Sequence, residues 1–246
     1  MPLNIGGNEI TKMRANQIVN TNPIFDSLIL NLDAGLVSSY PGAGTTWTDL
    51  SVSGNNGTLN NNPSFYNSNG GAISFNGTNQ NISISSIISA YPFTVDIWAS
   101  HPNSWLPSVD GTMNELLNMS IGNQRVSIGT FRLDSSGWTA GPTLMYGGSN
   151  HWTINAASAG MGTGFINVTW VVYGSNNSSH KIFVNGVSRT MVNNGGAHGG
   201  TAGWAIASNS TSGEYWPGKI ASVRVYNTTL SDAQVLQNYQ TQTQKL

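Results

Sequence analysis

Glutamate occurs three times in the 246 residues, at Glu9, Glu115 and Glu214, and none of the three has a second acid at a spacing that sets two carboxyl groups side by side. Cleaving a glycosidic bond takes two such groups about 5–10 Å apart, one of them a proton donor. A pair assembled in space, Asp96 with Glu115, is the hydrolytic arrangement left open. His101, His151, His180 and His198 are scattered, with no His-x-x-x-His and no acid at ligand spacing. They read as turn or surface residues. The glycine-rich stretch 193–200 (NNGGAHGG) lacks the serine of a nucleophile elbow and the lysine of a phosphate loop, and reads as a loop. The absence of cysteine excludes disulfides, thiolate zinc sites and thiol catalysis.

Binding is the chemistry the aromatic residues favour. A sugar face packs on an exposed ring while amides, carboxylates or backbone groups bond its hydroxyls. Trp105, Trp138, Tyr146 and Trp152 lie in or beside polar, glycine-rich turns, such as 135–138 (SSGW) and 150–152 (NHW), and are the carbohydrate-binding candidates. The alternative is that these rings pack under loops or against a neighbouring subunit.

The rest of the composition decides what must hold those residues. Charged residues make up 8%, against about 25% in an ordinary soluble domain. Polar surface therefore resides in hydroxyls and amides, which suits a turn-rich β protein better than surface helices. The net charge of −1 supplies no basic stripe for phosphates, so nucleic acid is not expected as a partner. No apolar run approaches the ~18 residues of a membrane span, and no basic segment leads into an apolar one at the N-terminus, so neither a membrane nor the usual secretory route is expected. Hydrophobic residues at 38%, with eight Trp, eight Tyr and seven Phe, are enough for one large core.

Residues 1–25 read as an N-terminal arm or anchor, in which Leu3-Asn4-Ile5 and residues 9–13 flank the turn-prone Gly6-Gly7-Asn8 as a small hairpin. Residues 26–246 read as one all-β domain. Strands are predicted at 28–33, 72–75, 81–85, 93–100, 115–121, 125–133, 143–147, 164–173, 180–184, 187–191, 204–207 and 219–226, with turn residues between them. In 93–97 (FTVDI) the alternation turns Phe93, Val95 and Ile97 toward the core and Asp96 away from it. Asn185-Gly186 between apolar strands predicts a type I′ hairpin. Ser231 with Gln234 forms a capping-box signature, and Val235, Leu236 and Tyr239 give the short C-terminal helix an apolar face.

Several segments together resemble the laminin G-like branch of the concanavalin A-like lectin/glucanase superfamily: 93–98 (FTVDIW), 167–173 (NVTWVVY), 181–186 (KIFVNG) and 218–231 (GKIASVRVYNTTLS). The resemblance runs over about residues 28–240 and implies a jelly roll of two packed antiparallel sheets, with Trp98, Trp170 and Trp216 in core or sheet packing. The superfamily's glucanases carry Glu-x-Asp-x-Glu on one strand, and that pattern is absent here, which implies a non-enzymatic protein. Calcium is the cofactor bound by some relatives. Asp33, Asp49 and Asn55 have oxygens suited to it, although Asx turns are the commoner role of such residues.

Segments 30–35 (LNLDAG), 46–51 (TWTDLS), 55–59 (NNGTL) and 230–239 (LSDAQVLQNY) are similar to the version of this domain in structural proteins of tailed bacteriophages, as is the Ile-Gly-Gly…Glu-Ile-Thr-Lys spacing of the arm. That likeness implies a virion structural protein, made in the host cytoplasm and built into the particle as a capsid decoration, head fibre or tail-associated adhesin. Its partners would be other virion proteins, itself in a homo-oligomer, and cell-surface glycans. A freestanding carbohydrate-binding module or lectin is the alternative.

Overall fold

Alternating apolar and polar residues place one face of each strand against a shared core, and two sheets stacked face to face satisfy them all. A computed structural model shows this arrangement. It describes residues 3–5, 8–10, 12–14, 17–19, 22–105, 113–121, 124–131, 141–146, 150–154, 159–174, 180–193, 203–209 and 213–243, with the backbone alone for 3–5, 8–10, 12–14, 17–19, 124, 131, 141–146, 150–153 and 193.

One sheet has nine strands in the order β19 (Val192–Asn193), β15 (Asn150–Thr153), β14 (Gly141–Tyr146), β13 (Gln124–Phe131), β12 (Met113–Ile121), β20 (Ala205–Ile206), β10 (Asn81–Ser83), β7 (Gly57–Asn60) and β6 (Thr46–Trp47). The other has eight: β18 (Val187–Arg189), β17 (Lys181–Val184), β16 (Ile166–Val172), β11 (Phe93–Ser100), β21 (Lys219–Tyr226), β9 (Ala72–Ser74) and β8 (Ser64–Tyr66), with β5 (Leu28–Asp33) also paired to β21. Every pairing is antiparallel. The short strands β6, β7, β8, β15 and β19 add to the predicted set.

Between the sheets lie Phe93, Val95 and Ile97 of β11, Val168 and Trp170 of β16, Leu117 and Met119 of β12, and Val126 and Ile128 of β13, all fully buried. Each such side chain contributes about 1.5–3 kcal/mol through burial. Trp170 and Trp216 belong to this core, as the resemblance implied.

All eight residues of β11 are buried, because the opposite face of its sheet is covered as well. Asp96 points away from the intersheet core, as alternation requires, yet has no exposed surface. The cover is the C-terminal helix α1 (Asp232–Gln242), whose Val235 packs with Leu28, Val171, Phe183, Tyr226 and Leu230. The capping box forms as the sequence predicts: Ser231 Oγ accepts from the Gln234 N–H and Gln234 Oε1 from the Ser231 N–H. The helix's apolar face is narrower than predicted. Leu236 is 41% exposed, while Asn238, Thr241 and Gln242 are buried. The amides replace apolar contact with specific bonds: Asn238 accepts from the Ile24 N–H at 2.8 Å and donates to the Tyr226 hydroxyl at 2.9 Å, and Gln242 donates to Ser222 Oγ at 3.0 Å.

The predicted hairpin joins β17 to β18, with Asn185 (φ 51°) and Gly186 (φ 73°) both in the left-handed region that a type I′ turn needs. In the arm, β1 (Leu3–Ile5) pairs with β2 (Asn8–Ile10), and β3 (Lys12–Arg14) pairs with β4 (Gln17–Val19). The second of these hairpins has no counterpart in the sequence reading. From Asn22 the chain is tied to the sandwich, since Gln237 donates to the Asn22 carbonyl and the Tyr226 hydroxyl to that of Ile24.

Candidate functional site

On the outer face of the nine-stranded sheet, a bulge between Glu115 and Leu117 sends both Leu116 and Leu117 into the core and leaves Glu115 and Asn118 facing outward. Gly129 permits it, because a Cβ there would stand 2.2 Å from the Asn114 carbonyl oxygen and 2.9 Å from Glu115 Cα. Arg125 and Ser127, on the same face of β13, join them in a polar network. Arg125 Nη2 donates to Glu115 Oε1 and, at 2.8 Å, to Glu214 Oε2. Asn118 Nδ2 donates to Glu115 Oε2 at 2.6 Å and to Ser127 Oγ at 2.8 Å. Asn209 Nδ2 donates to Glu214 Oε2 at 2.7 Å, and the Glu115 N–H to the Glu214 carbonyl at 3.1 Å.

Burial pushes Glu115 up to about 8, against the pull of Arg125. Burial acts in the same direction on Glu214, but bonds from Asn209, Glu115 and Arg125 outweigh it and hold that carboxyl below its ordinary value. The pair thus keeps one proton on Glu115 and one negative charge on Glu214, opposite the guanidinium. Two acids pushed apart in this way have the electrostatic profile of an acid–base couple. Glu115 lacks access, having no exposed surface, and the two lack opposition, since both carboxyls converge on one arginine. The network ties the Glu214 loop to the sheet.

The Asp96–Glu115 pair does not form. Asp96 lies on the outer face of the other sheet, where it accepts from Asn167 Nδ2 at 3.0 Å and Thr169 Oγ1 at 3.3 Å. Burial raises its pKa, opposed by Arg224 and these bonds. The whole sandwich separates it from Glu115. His101 and His180 are buried rather than on the surface, and burial lowers both, His180 to about 4. His101 sits between Asn114 Oδ1 (3.1 Å) and the Asn103 N–H (3.1 Å), against the Trp216 ring. His151 is on β15, and His198 lies outside the described residues.

Of the proposed sugar-stacking rings, Trp105 is fully buried, edge-on to Trp216 with centroids 5.2 Å apart. This burial corrects its reading as an exposed platform. Tyr146 lies opposite Val126 and Asn150, and Trp152 opposite Leu144 and Asn193. Trp138 and residues 194–200 lie outside the described residues.

The three oxygen-bearing residues serve turns. Asp49 Oδ1 accepts from the Asn31 and Ser51 N–H groups, and Oδ2 from Ser51 Oγ and the Asn55 N–H, at 2.7–2.8 Å. Asn55 donates its amide to the Ile29 carbonyl, while Asp33 accepts from the Gly35 N–H and faces Arg224. This is an Asx-turn hub plus a separate acid beside an arginine, and the set does not fit a shared calcium. Among the described residues, no three His, Asp or Glu side chains gather as metal ligands.

A cleft of about 260 Å³ opens between α1 and the outer face of the eight-stranded sheet, lined by Asn69, Trp98, Phe165, Asn185, Tyr239 and Thr243. Trp98 projects outward from β11, and Tyr239 of α1 stacks on it with centroids 5.7 Å apart and planes within 5°. The Asn185-Gly186 turn presses against that tyrosine: a Cβ on Gly186 would stand 3.0 Å from the Tyr239 ring. The sequence reading placed Trp98 in packing and did not find this cleft, although the outward parity of Trp98 on β11 pointed to that face.

A family model described as the concanavalin A-like lectin/glucanases superfamily matches residues 122–236. No curated protein matches the chain in sequence. Among solved structures, domain 4 of AbnA, a GH43 extracellular arabinanase from Geobacillus stearothermophilus in complex with arabinotriose, aligns with TM-score 0.58 at 16% identity over 87% of this chain and 98% of that one. The sialidase of Trypanosoma rangeli in complex with sialic acid aligns with TM-score 0.56 at 12% identity, over 94% of this chain and 35% of that one. The binding domain of botulinum neurotoxin DC in complex with rat synaptotagmin II aligns with TM-score 0.55 at 13% identity, over 89% and 52%. The chain therefore spans nearly all of the arabinanase domain, about half of the toxin domain and about a third of the sialidase. At these identities the likeness shows the fold, a concanavalin A-like jelly roll with a short C-terminal helix.

Proposed function

We propose that this lectin-like sandwich is a non-catalytic binding module that contacts glycans or proteins. The observation that carries the reading is the Glu115–Arg125–Glu214 network, which keeps Glu115 out of solvent and holds both carboxyls on one guanidinium. A scaffold related to binding domains is left with amide and hydroxyl surfaces that suit sugars and protein neighbours. The arabinotriose-bound domain and the synaptotagmin-bound toxin domain support ligands of both classes. The finer reading is a structural or adhesive component of a tailed-phage particle. It rests on the segments 30–35, 46–51 and 230–239 and on the two arm hairpins, which would anchor the sandwich to virion proteins or to further copies of itself.

Screening the purified chain on a glycan array, with its mass in solution measured alongside, tests the proposal. Binding to at least one glycan and self-association are expected. A chain without residues 1–21, which keeps the Asn22 and Ile24 bonds to α1, is expected to fold and to lose the association alone. A monomer that retains no glycan would overturn the reading.

A further inference from the structure

We infer that the cleft between α1 and the eight-stranded sheet is a site for a single neutral sugar ring. The inference rests on the glycan reading above and gives it a location. Its six described lining residues include no Lys, Arg, His, Asp or Glu, so among the described residues a charged ligand finds no counter-ion there, whereas hydroxyls find amide, phenol and hydroxyl partners. Phe165 and Tyr239, both half-buried, offer ring surface to a sugar's C–H face.

Several polar groups of the cleft's residues bond no described residue. The Trp98 indole N–H is buried, with the residue 4% exposed, and has no acceptor among the described residues. Such a donor carries a desolvation cost until an acceptor reaches it. The indoles of Trp47, Trp105, Trp170, Trp204 and Trp216 are likewise unpaired among the described residues, and of the six Trp98 lines this cleft. Neither the Asn69 amide nor the Tyr239 hydroxyl bonds a described residue. Asn185 accepts from the Asn167 N–H through Oδ1 at 3.0 Å, and its Nδ2 bonds no described residue.

The walls are fixed before any ligand arrives. Tyr239 is held between Trp98 and the Asn185-Gly186 turn. Asn69 (φ 52°), Gly70 (φ 75°) and Gly71 (φ 87°) form a left-handed run pinned against the start of the chain's first long strand connection, where a Cβ on Gly35 would stand 1.8 Å from the Gly70 carbonyl oxygen. A site prebuilt in this way loses little freedom on binding. Its volume falls just below the roughly 300–1,000 Å³ of drug-sized pockets, which fits one ring rather than a chain.

The test is an NMR titration of ¹⁵N-labelled full-length protein with methyl α-D-glucopyranoside, methyl β-D-galactopyranoside, methyl α-L-arabinofuranoside and N-acetylneuraminic acid, the Trp98 indole signal being assigned by its loss in Trp98→Phe. At least one neutral glycoside is expected to shift that signal saturably and the charged sugar to leave it unmoved. Asn69→Ala and Tyr239→Phe, both folded by their spectra, are expected to weaken binding about threefold to tenfold each. Saturable glycan binding that leaves Trp98 unmoved and ignores Asn69→Ala would overturn this location and keep the glycan reading. Absence of any glycan binding, here and on the array, would overturn both.

Discussion

Replacing Glu115 with Gln asks whether the buried network holds a proton. Burial lifts this carboxyl to about 8 from an ordinary value of 4.5, so across that interval the folded chain keeps a proton that the unfolded chain has released. Its contribution to stability is fully present below about pH 4.5 and is lost as pH rises through about 8. One proton of difference gives a slope of about 1.4 kcal/mol per pH unit, or about 2 kcal/mol between about pH 6.5 and 8. His101 and His180, held low by burial, act in the opposite sense and below their ordinary 6.5. The depressed Glu214 contributes stability that is lost only as pH falls below the ordinary carboxylate range. Asp96, also raised by burial, acts in the same sense as Glu115 but equally in parent and variant, so the difference between the two isolates Glu115. The glutamine side chain of the variant is neutral throughout, and its amide can still accept from Arg125 or Asn118 while donating to Glu214. Urea unfolding at a series of pH values should show a parent that loses about 2 kcal/mol more than the Glu115→Gln variant between about pH 6.5 and 8. Near pH 6 the two should agree within about 1 kcal/mol. A variant weaker by about 3–5 kcal/mol near pH 6 would mean that an ionised partner of Arg125 had been removed, and the shared-proton account would be wrong.

Gly129→Ala should cost more than about 3 kcal/mol in urea unfolding, since its Cβ meets backbone atoms of the facing strand that cannot move without losing the bulge. Ser231→Ala removes the side-chain half of the capping box and should cost about 1 kcal/mol, read as a lower Tm. Lys181→Met breaks an exposed pair with Asp232 and should change stability by less than about 0.5 kcal/mol in the same scan.

Local chemistry was legible wherever one short segment determines the outcome. Phe93, Val95 and Ile97 alternate into the core, Asn185-Gly186 turns as its positive φ values demand, and Ser231 caps with Gln234. What the sequence did not disclose depends on partners distant along the chain. Asp96 reads as an outward residue because nothing near it signals that α1 will return to cover β11. The polar underside of that helix, Asn238, Thr241 and Gln242, resembles a solvent face until its bonds to Ile24, Tyr226 and Ser222 are seen. Trp105, flanked by turn residues, looks exposed, but it is buried against Trp216. Glu115 and Glu214 meet only through Arg125, and the cleft draws its six residues from five separate segments. Strands of two or three residues, such as Thr46–Trp47, are too short to show an alternation.

Binding without bond cleavage is the core of this account, and one incubation tests it directly. The protein is held with the glycan it retains most strongly on the array, and the sugar is recovered and sized by chromatography. The account predicts that the glycan returns at its original length after prolonged incubation, with Glu115→Gln behaving like the parent. Shortened products that disappear in the Glu115→Gln variant would contradict it.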